Sequence, residues 1–313
     1  MRIAIMAAVA GLMSGGTAQA AAAQPCDRQC LLTTAKTYVS ALVSHTPSQA
    51  PLARDMVLVE NLKRIEPGTG LWKSATGGLT AYELVVPDVT AQQVGLIGVM
   101  QEGDKPIMVA IRLKLVDRRI VEAEHIVVHE INPRVLPNLR KPRPGFAFQI
   151  PAPYRDARDR LLKIGADYYD ALDENNGNLA AFADDCERYE NGMQTANAPY
   201  REDYTGVPMG LLSTYSCAAQ LDTQVMSYID TIDNRRIWIA DEETGLVFGL
   251  SHFRHSMKTG EIKVYGVPGM ESRSLKFGAF DLPAAHIYKI YNGKIHEIEA
   301  VGYMTEYMSP TGW

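Results

Sequence analysis

The 313-residue sequence predicts an α+β protein made of two copies of one unit, each a leading helix packed on a curved antiparallel sheet. Three observations predict it. The chain repeats itself, each copy opens with apolar residues at helical spacing, and each closes with alternating, β-branched segments.

The first residues are read as a segment that is removed. Met1 and Arg2 are followed by an apolar run from Ile3 to Met13, then small and polar residues ending in Ala18-Gln19-Ala20. A charged start, a short apolar core and an A-x-A ending form an export signal over residues 1–20, too short to span a bilayer. No Cys follows directly, since Cys26 comes after Gln24 and Pro25, which argues against a lipid anchor. Formal charge is −5, and loss of Arg2 leaves −6. Beyond Arg134, Arg140, Lys141 and Arg143 there is no basic cluster, so nucleic acid is an unexpected partner. No later apolar stretch has membrane-spanning length. The protein is expected to be periplasmic or extracellular.

The repeat sets the architecture. Ala35-Lys-Thr-Tyr38-Val-Ser-Ala41-Leu42 lies over Gly165-Ala-Asp-Tyr168-Tyr-Asp-Ala171-Leu172, an offset of 130 residues. The same offset carries Glu60-Asn61 onto Glu190-Asn191. Farther on, Val116 to Glu124 matches Tyr291 to Glu299 at an offset of 175, so the second copy carries insertions, placed at Gln194 to Ser216 and Ser256 to Pro283. The first domain is therefore set at 26–131 and the second at 154–313. Residues 132–153 between them hold six prolines and read as a linker.

Within each copy the elements follow in order. Leu31 to Val43 and Leu161 to Leu172 have helical periodicity. Val225 to Ala240 and Leu246 to His255 flank Asp241-Glu-Glu-Thr-Gly245, a hairpin with Gly available for positive φ. Ala285 to Tyr291 and Lys294 to Tyr303 flank Asn292-Gly293, the strongest short hairpin signal. Four cysteines in an exported chain suggest two bridges. Cys26 and Cys30 stand one helical turn apart, which leaves Cys186 with Cys217 among the three possible pairings.

A leading A-x-x-Y-x-x-A-L helix, a segment ending in Glu-Asn, and Lys289-Ile-Tyr-Asn-Gly-Lys-Ile295 resemble the nuclear transport factor 2-like (cystatin-like) superfamily. The chain is also similar to secreted tandem proteins of unassigned function from bacteria and fungi. That likeness rests on Cys26-Asp-Arg-Gln-Cys30, Gly70-Leu-Trp72, Cys186-Glu-Arg-Tyr-Glu-Asn-Gly192, Asp233-Asn-Arg-Arg236 and Gly312-Trp313. The resemblance implies a cone-shaped pocket between helix and sheet, and units that pair sheet to sheet, here in cis. Members include isomerases, dehydratases, cyclases and lyases, while others only bind or dimerise, so the fold does not set the chemistry.

The chemistry rests on side chains. A two-residue turn at Asn292-Gly293 sets Tyr288 against Glu297 and His286 against Glu299, with all four on one face. A carboxylate beside a His raises its basicity and holds its tautomer, so His286 and Glu299 form a candidate acid/base dyad. On a solvated face the same pair would be a cross-strand ion pair of little consequence. Tyr168 and Tyr288 are candidate hydroxyl donors to a substrate, and Arg236 and Glu190 are candidate substrate contacts. His252 and His255 fall on opposite faces of one strand, and no spacing supports a metal site. Neither a nucleotide loop nor a nucleophile elbow is present, so no cofactor is expected. The chemistry expected is a cofactor-independent lyase, isomerase or dehydratase acting on a small, largely apolar, possibly aromatic molecule. The alternatives are an extracytoplasmic binding protein for a small hydrophobic ligand and a structural protein.

Overall fold

A computed structural model of the chain describes residues 25–200 and 208–313. The proposed export signal therefore lies outside the described residues.

The first unit opens with α1 (Arg28–Val43), capped by the Asp27 carboxylate, which accepts from the Cys30 amide at 2.8 Å. It continues through β1 (Leu52–Glu60), β2 (Lys63–Ile65), α2 (Leu71–Ser74), β3 (Ala75–Gly77), β4 (Glu83–Asp88), β5 (Gln93–Glu102), β6 (Lys105–Val116) and β7 (Arg119–Val128). After α3 (Pro144–Ala147), the second unit repeats the plan. Its elements are α4 (Arg158–Asp173), β8 (Phe182–Glu190), β9 (Met193–Ala196), α5 (Pro208–Leu212), α6 (Cys217–Asp222), β10 (Thr231–Asp241) and β11 (Leu246–His255). Then come the inserted hairpin β12 (Glu261–Val267) and β13 (Met270–Ser274), and finally β14 (Phe280–Tyr291), β15 (Lys294–Gly302) and β16 (Thr305–Glu306).

Sheet order is the same in both units: β2-β1-β7-β6-β5 in the first and β9-β8-β15-β14-β11 in the second, with β4 and β10 beside β5 and β11. The chain is thus α+β, two tandem cone-shaped units with a helix lying in each curved sheet. Of the extra segments of the second unit, α5 and the β12–β13 hairpin fall within the two stretches expected to hold them, and α6 lies just beyond the first.

One expectation needs correction. The sheets are mixed, because β1 pairs with β7, and β8 with β15, in parallel. The Glu-Asn motif explains how that pairing ends. Asn61 and Asn191 both adopt positive φ, and their side-chain amides clasp the backbone of Val127 and Gly302. Asn tolerates that conformation better than most residues, and its amide replaces the ladder bonds lost at the strand end.

The Pro-rich segment is also more ordered than a linker by composition would be. It forms a 3-10 helix at Pro133–Leu139 and then α3, and it buries Val135, Leu139, Phe146 and Ile150. Proline presets the φ that a first helical turn needs, so a proline-rich stretch can fold when it has a surface to cover.

Each cone has its own core, built on Tyr38, Trp72 and Ile111 in the first unit and on Tyr168, Tyr169 and Tyr288 in the second. A third apolar cluster joins the two sheets back to back, with Ile97, Met108 and Ile126 against Phe248, Ile287 and Val301. The contacts are pseudo-two-fold: β15 meets β7, β15 meets β6 as β14 meets β7, and β10 meets β4. Near the pseudo-axis, Gly95 lies under the Phe248 ring, and a Cβ at Gly95 would sit 2.4 Å from that ring. The interface is closed at its margins by Arg236 on Glu124, Arg158 on Asp88 and Arg28 on Asp241.

Both disulfides form as expected, Cys26–Cys30 and Cys186–Cys217. The second ties β8 to α6. Among the described residues, no helix is long and apolar enough to cross a membrane.

Candidate functional site

The cone of the second unit holds a cavity of about 170 Å³. One wall is the ladder of β14 and β15, where Ala284 pairs with Gly302 and His286 with Ala300. Tyr168 and Leu172 of α4 form another side, and Met226, Tyr228 and Ile229 close it before β10. Glu190 and Asn191 stand at its rim.

The first unit shows why this cavity exists. The ladder pairs equivalent to Ala284/Gly302 and His286/Ala300 are Val109/Val127 and Ile111/His125. Three of those four positions carry larger side chains in the first unit, and Trp72 packs edge-on against Tyr38 at 5.1 Å. The first cone is therefore filled by its own residues. The second is emptied by two alanines and a glycine.

His286 is buried in the cavity wall, and its Nδ1 is 2.9 Å from the Tyr169 hydroxyl. Burial, with the charge of Arg188 adding to it, pushes the imidazole down to about 3, so it is neutral at any ordinary pH. Burial raises Tyr169 to about 12, which keeps its hydroxyl protonated as well. With one ring nitrogen committed to Tyr169, the other is available to a ligand. Arg188, 1% exposed, lies behind the wall and pairs with Glu190 at 2.9 Å, while its Nη1 has no hydrogen-bond partner. At the mouth His255 stacks on Phe280, with ring centroids 4.1 Å apart, and burial holds it at about 4.

The expected dyad does not form. Tyr291 pairs with Lys294 and Ile290 with Ile295 as a two-residue turn requires, but the register then shifts, so that Lys289 faces Glu297 and His286 faces Ala300. The extra residue is His296, a β-bulge, and one extra residue moves everything beyond it to the opposite face. Glu299 therefore points away from the cavity into the interface between the sheets. There its Oε2 accepts from Arg143 Nη1 at 2.8 Å, and burial raises the carboxyl to about 7. Glu297 shares that side and pairs with the same Arg143 at 2.5 Å. Ile298 and Ala300 instead join His286 in the cone. The first unit carries the same bulge, where Leu115 pairs with Ile120 and Lys114 with Glu122.

Of the other candidates, Tyr168 and Glu190 line the cavity. Tyr288 is fully buried beneath it, with its ring centroid 5.2 Å from that of Tyr168. Arg236 is drawn away to Glu124 of the first unit, because β10 presents that face to the interface. His255 reaches the cavity, whereas His252 turns to the other side against Asp281. Tyr169, Arg188 and the small residues Ala284, Ala300 and Gly302 were missed. The Tyr168-Tyr169 doublet was visible, but which ring faces His286 depends on the helix rotation. The first unit also hides a relay, with Tyr38 Oη 2.9 Å from His125 Nε2 and His125 Nδ1 3.0 Å from Glu60. Its histidine sits on β7 where the second unit's sits on β14, across the same ladder pair.

Among solved structures, the chain is similar to a candidate polyketide cyclase from Silicibacter sp. TM1040, at 15% identity and a TM-score of 0.28, covering 49% of this chain and 91% of that one. A candidate ketosteroid isomerase from Kribbella flavida DSM 17836 is 15% identical over 39% of this chain and 91% of its own, TM-score 0.28. AusH from Aspergillus nidulans is 12% identical over 47% of this chain and 86% of its own, TM-score 0.29. Likenesses at this level decide nothing about chemistry. No curated protein matches. Residues 154–302, which contain the cavity, match the family described as Domain of unknown function (DUF8021).

Proposed function

We propose that the second unit is an exported, cofactor-independent acid/base enzyme acting on a small, largely apolar molecule with one carbonyl or hydroxyl group. The observation that supports this most is a neutral His286, fixed by Tyr169, in the wall of an otherwise apolar cavity. His125 of the first unit is buried as well, but it is His286 that borders the cavity of about 170 Å³, where its free ring nitrogen can meet a polar group of a substrate.

The chemistry divides among three groups. Glu190, at the rim, is the proton acceptor for an acidic C–H or O–H of the substrate. His286, too weak a base for that step, donates a hydrogen bond from its free ring nitrogen to the oxygen on which charge develops. Arg188 is close enough to depress His286 and stabilises the same charge through the wall. Isomerisation or elimination follows when the proton is returned at another carbon or to a leaving hydroxyl. Tyr169 takes the orienting place expected of Glu299. The first unit is the scaffold against which the curved catalytic sheet is packed. Two disulfides suit an oxidising compartment and so favour export.

The test is a screen of the purified protein against phenolic, polycyclic and terpenoid ketones and alcohols, read by thermal shift and product analysis together. On a substrate so found, Glu190→Gln and His286→Ala should each cut turnover by roughly a hundredfold or more. Binding without product, or full activity in both variants, would overturn the enzymatic reading and leave a binding protein.

A further inference from the structure

A second groove lies at the junction of the two units, on the opposite side of the second sheet from the cavity. It is assembled from two of the sequence motifs that the cavity leaves unused. Asn234 and Arg236 come from Asp233-Asn-Arg-Arg236 on β10, and Trp313 from the closing Gly312-Trp313. The C-terminal segment reaches it by crossing back onto the first unit, where Arg64 Nε donates to the Gly312 carbonyl at 3.1 Å. Gly312 takes positive φ against the Leu62 carbonyl, and a side chain there would be strained. The groove holds about 250 Å³.

Its walls are unusual for a surface. Trp238 and Trp313 are 43% and 41% exposed, and both rings lie within 6 Å of the Arg112 guanidinium, at 5.6 and 5.2 Å. Arg112 itself is 2% exposed and is held by Gln93 at 2.8 Å and by Glu122 at 2.8 Å. Arg236 makes two bonds to Glu124. Every guanidinium is thus already matched by a carboxylate. An anionic ligand would meet Glu122 and Glu124 as well as the arginines, and gains little. An apolar ligand would cover charged groups without replacing their water, which costs free energy. What fits is a neutral ligand with an apolar face for the indoles and hydroxyl groups around its edge. Those hydroxyls can donate to Glu122 and accept from Arg236 and Asn234.

We infer that this groove binds the pyranose rings of a neutral saccharide, each ring stacking its C–H face on Trp238 or Trp313. The site is independent of the cavity chemistry, since the groove's Asn234, Arg236 and Trp238 turn toward the first unit while the cavity lies inside the second cone, and no residue lines both. It would place the enzyme on a glycan surface or hold a soluble oligosaccharide.

The experiment uses the full chain. Cellohexaose, laminarihexaose and chitohexaose are titrated while tryptophan emission is followed, and insoluble cellulose, β-1,3-glucan and chitin are tested by co-sedimentation. Of the three tryptophans only Trp238 and Trp313 are exposed, because Trp72 is fully buried, so the emission reports on this groove. The expected result is a blue shift with at least one of the hexasaccharides. Trp238→Ala and Trp313→Ala should each weaken binding at least tenfold, Trp238→Tyr should retain most of it, and His286→Ala should leave it unchanged. Melting temperatures of the tryptophan variants show whether they are folded. Co-sedimentation alongside titration points to a surface glycan, and titration alone to a free oligosaccharide. Failure of all three hexasaccharides and all three polymers at millimolar ring concentration overturns the inference, as does binding that survives both alanine substitutions.

Discussion

The two units share strand order, a bulge in the last hairpin, an Asn clasp and a helix lying in the sheet, yet one cone is full and the other is open. The difference is confined to a few side chains. Val109, His125 and Val127 stand in the first unit where Ala284, Ala300 and Gly302 stand in the second, and Trp72 packs against Tyr38. A protein interior packs at near-crystalline density, so removing a few methyl groups and one imidazole from two neighbouring ladder pairs is enough to open a cavity. Duplication here leaves one cone as a packed core and the other with a cavity.

The largest test breaks the filled side. Trp72→Ala should cost about 3–5 kcal/mol in denaturant unfolding, the usual penalty for emptying an aromatic core position. An indistinguishable midpoint would mean that the first cone is not a packed core. Next comes the bridge specific to the second unit. Replacing Cys186 and Cys217 by Ser removes a closed loop that is worth roughly 3–4 kcal/mol by chain entropy. The Cys26–Cys30 pair, which closes only one turn, should cost clearly less in the same experiment.

A smaller effect follows pH and belongs to the second unit. His286 is held at about 3 in the fold, against about 6.5 in an unfolded chain. Between those values unfolding takes up a proton, so the stability due to the neutral imidazole is lost as pH falls from 6.5 toward 3. His255 adds to the same slope, since it is held at about 4. His286→Gln should therefore flatten the fall in melting temperature between pH 6.5 and 4 without abolishing it. Glu299 acts in the opposite sense. It is raised to about 7, so its contribution is present at low pH and lost as pH rises through 7, and Glu299→Gln should flatten that limb.

Much of the fold was legible because periodicity, Asn-Gly and the repeat are local signals. The site was less so, and for one physical reason. Pairing from Asn292-Gly293 assumes an unbroken ladder, and a single bulged residue, His296, sends Glu299 to the other face from His286. Nothing in the composition of a strand announces a bulge. Arg236 shows the second limit: its partner Glu124 belongs to the other unit, and only the packing of two sheets brings them together. Glu190 and Tyr168 were within reach because they lie at repeat positions close to strand and helix landmarks. The alanines and the glycine that make the cavity carry no chemical signal at all, and only comparison with their counterparts in the first unit reveals them.

The division between a filled and an open cone is tested most directly by closing the open one. Ala284→Val with Ala300→Val restores bulk at two of the three small positions, and 1-naphthol is small enough for the cavity and offers one hydroxyl to His286. Binding is measured by isothermal titration on the wild type and on the double variant, with melting temperature as the control. The expected result is a loss of affinity of at least tenfold with stability changed by no more than about 1–3 kcal/mol, the range for added methyl groups in a core. Unchanged affinity in a folded double variant would contradict the assignment of the second cone as the ligand site.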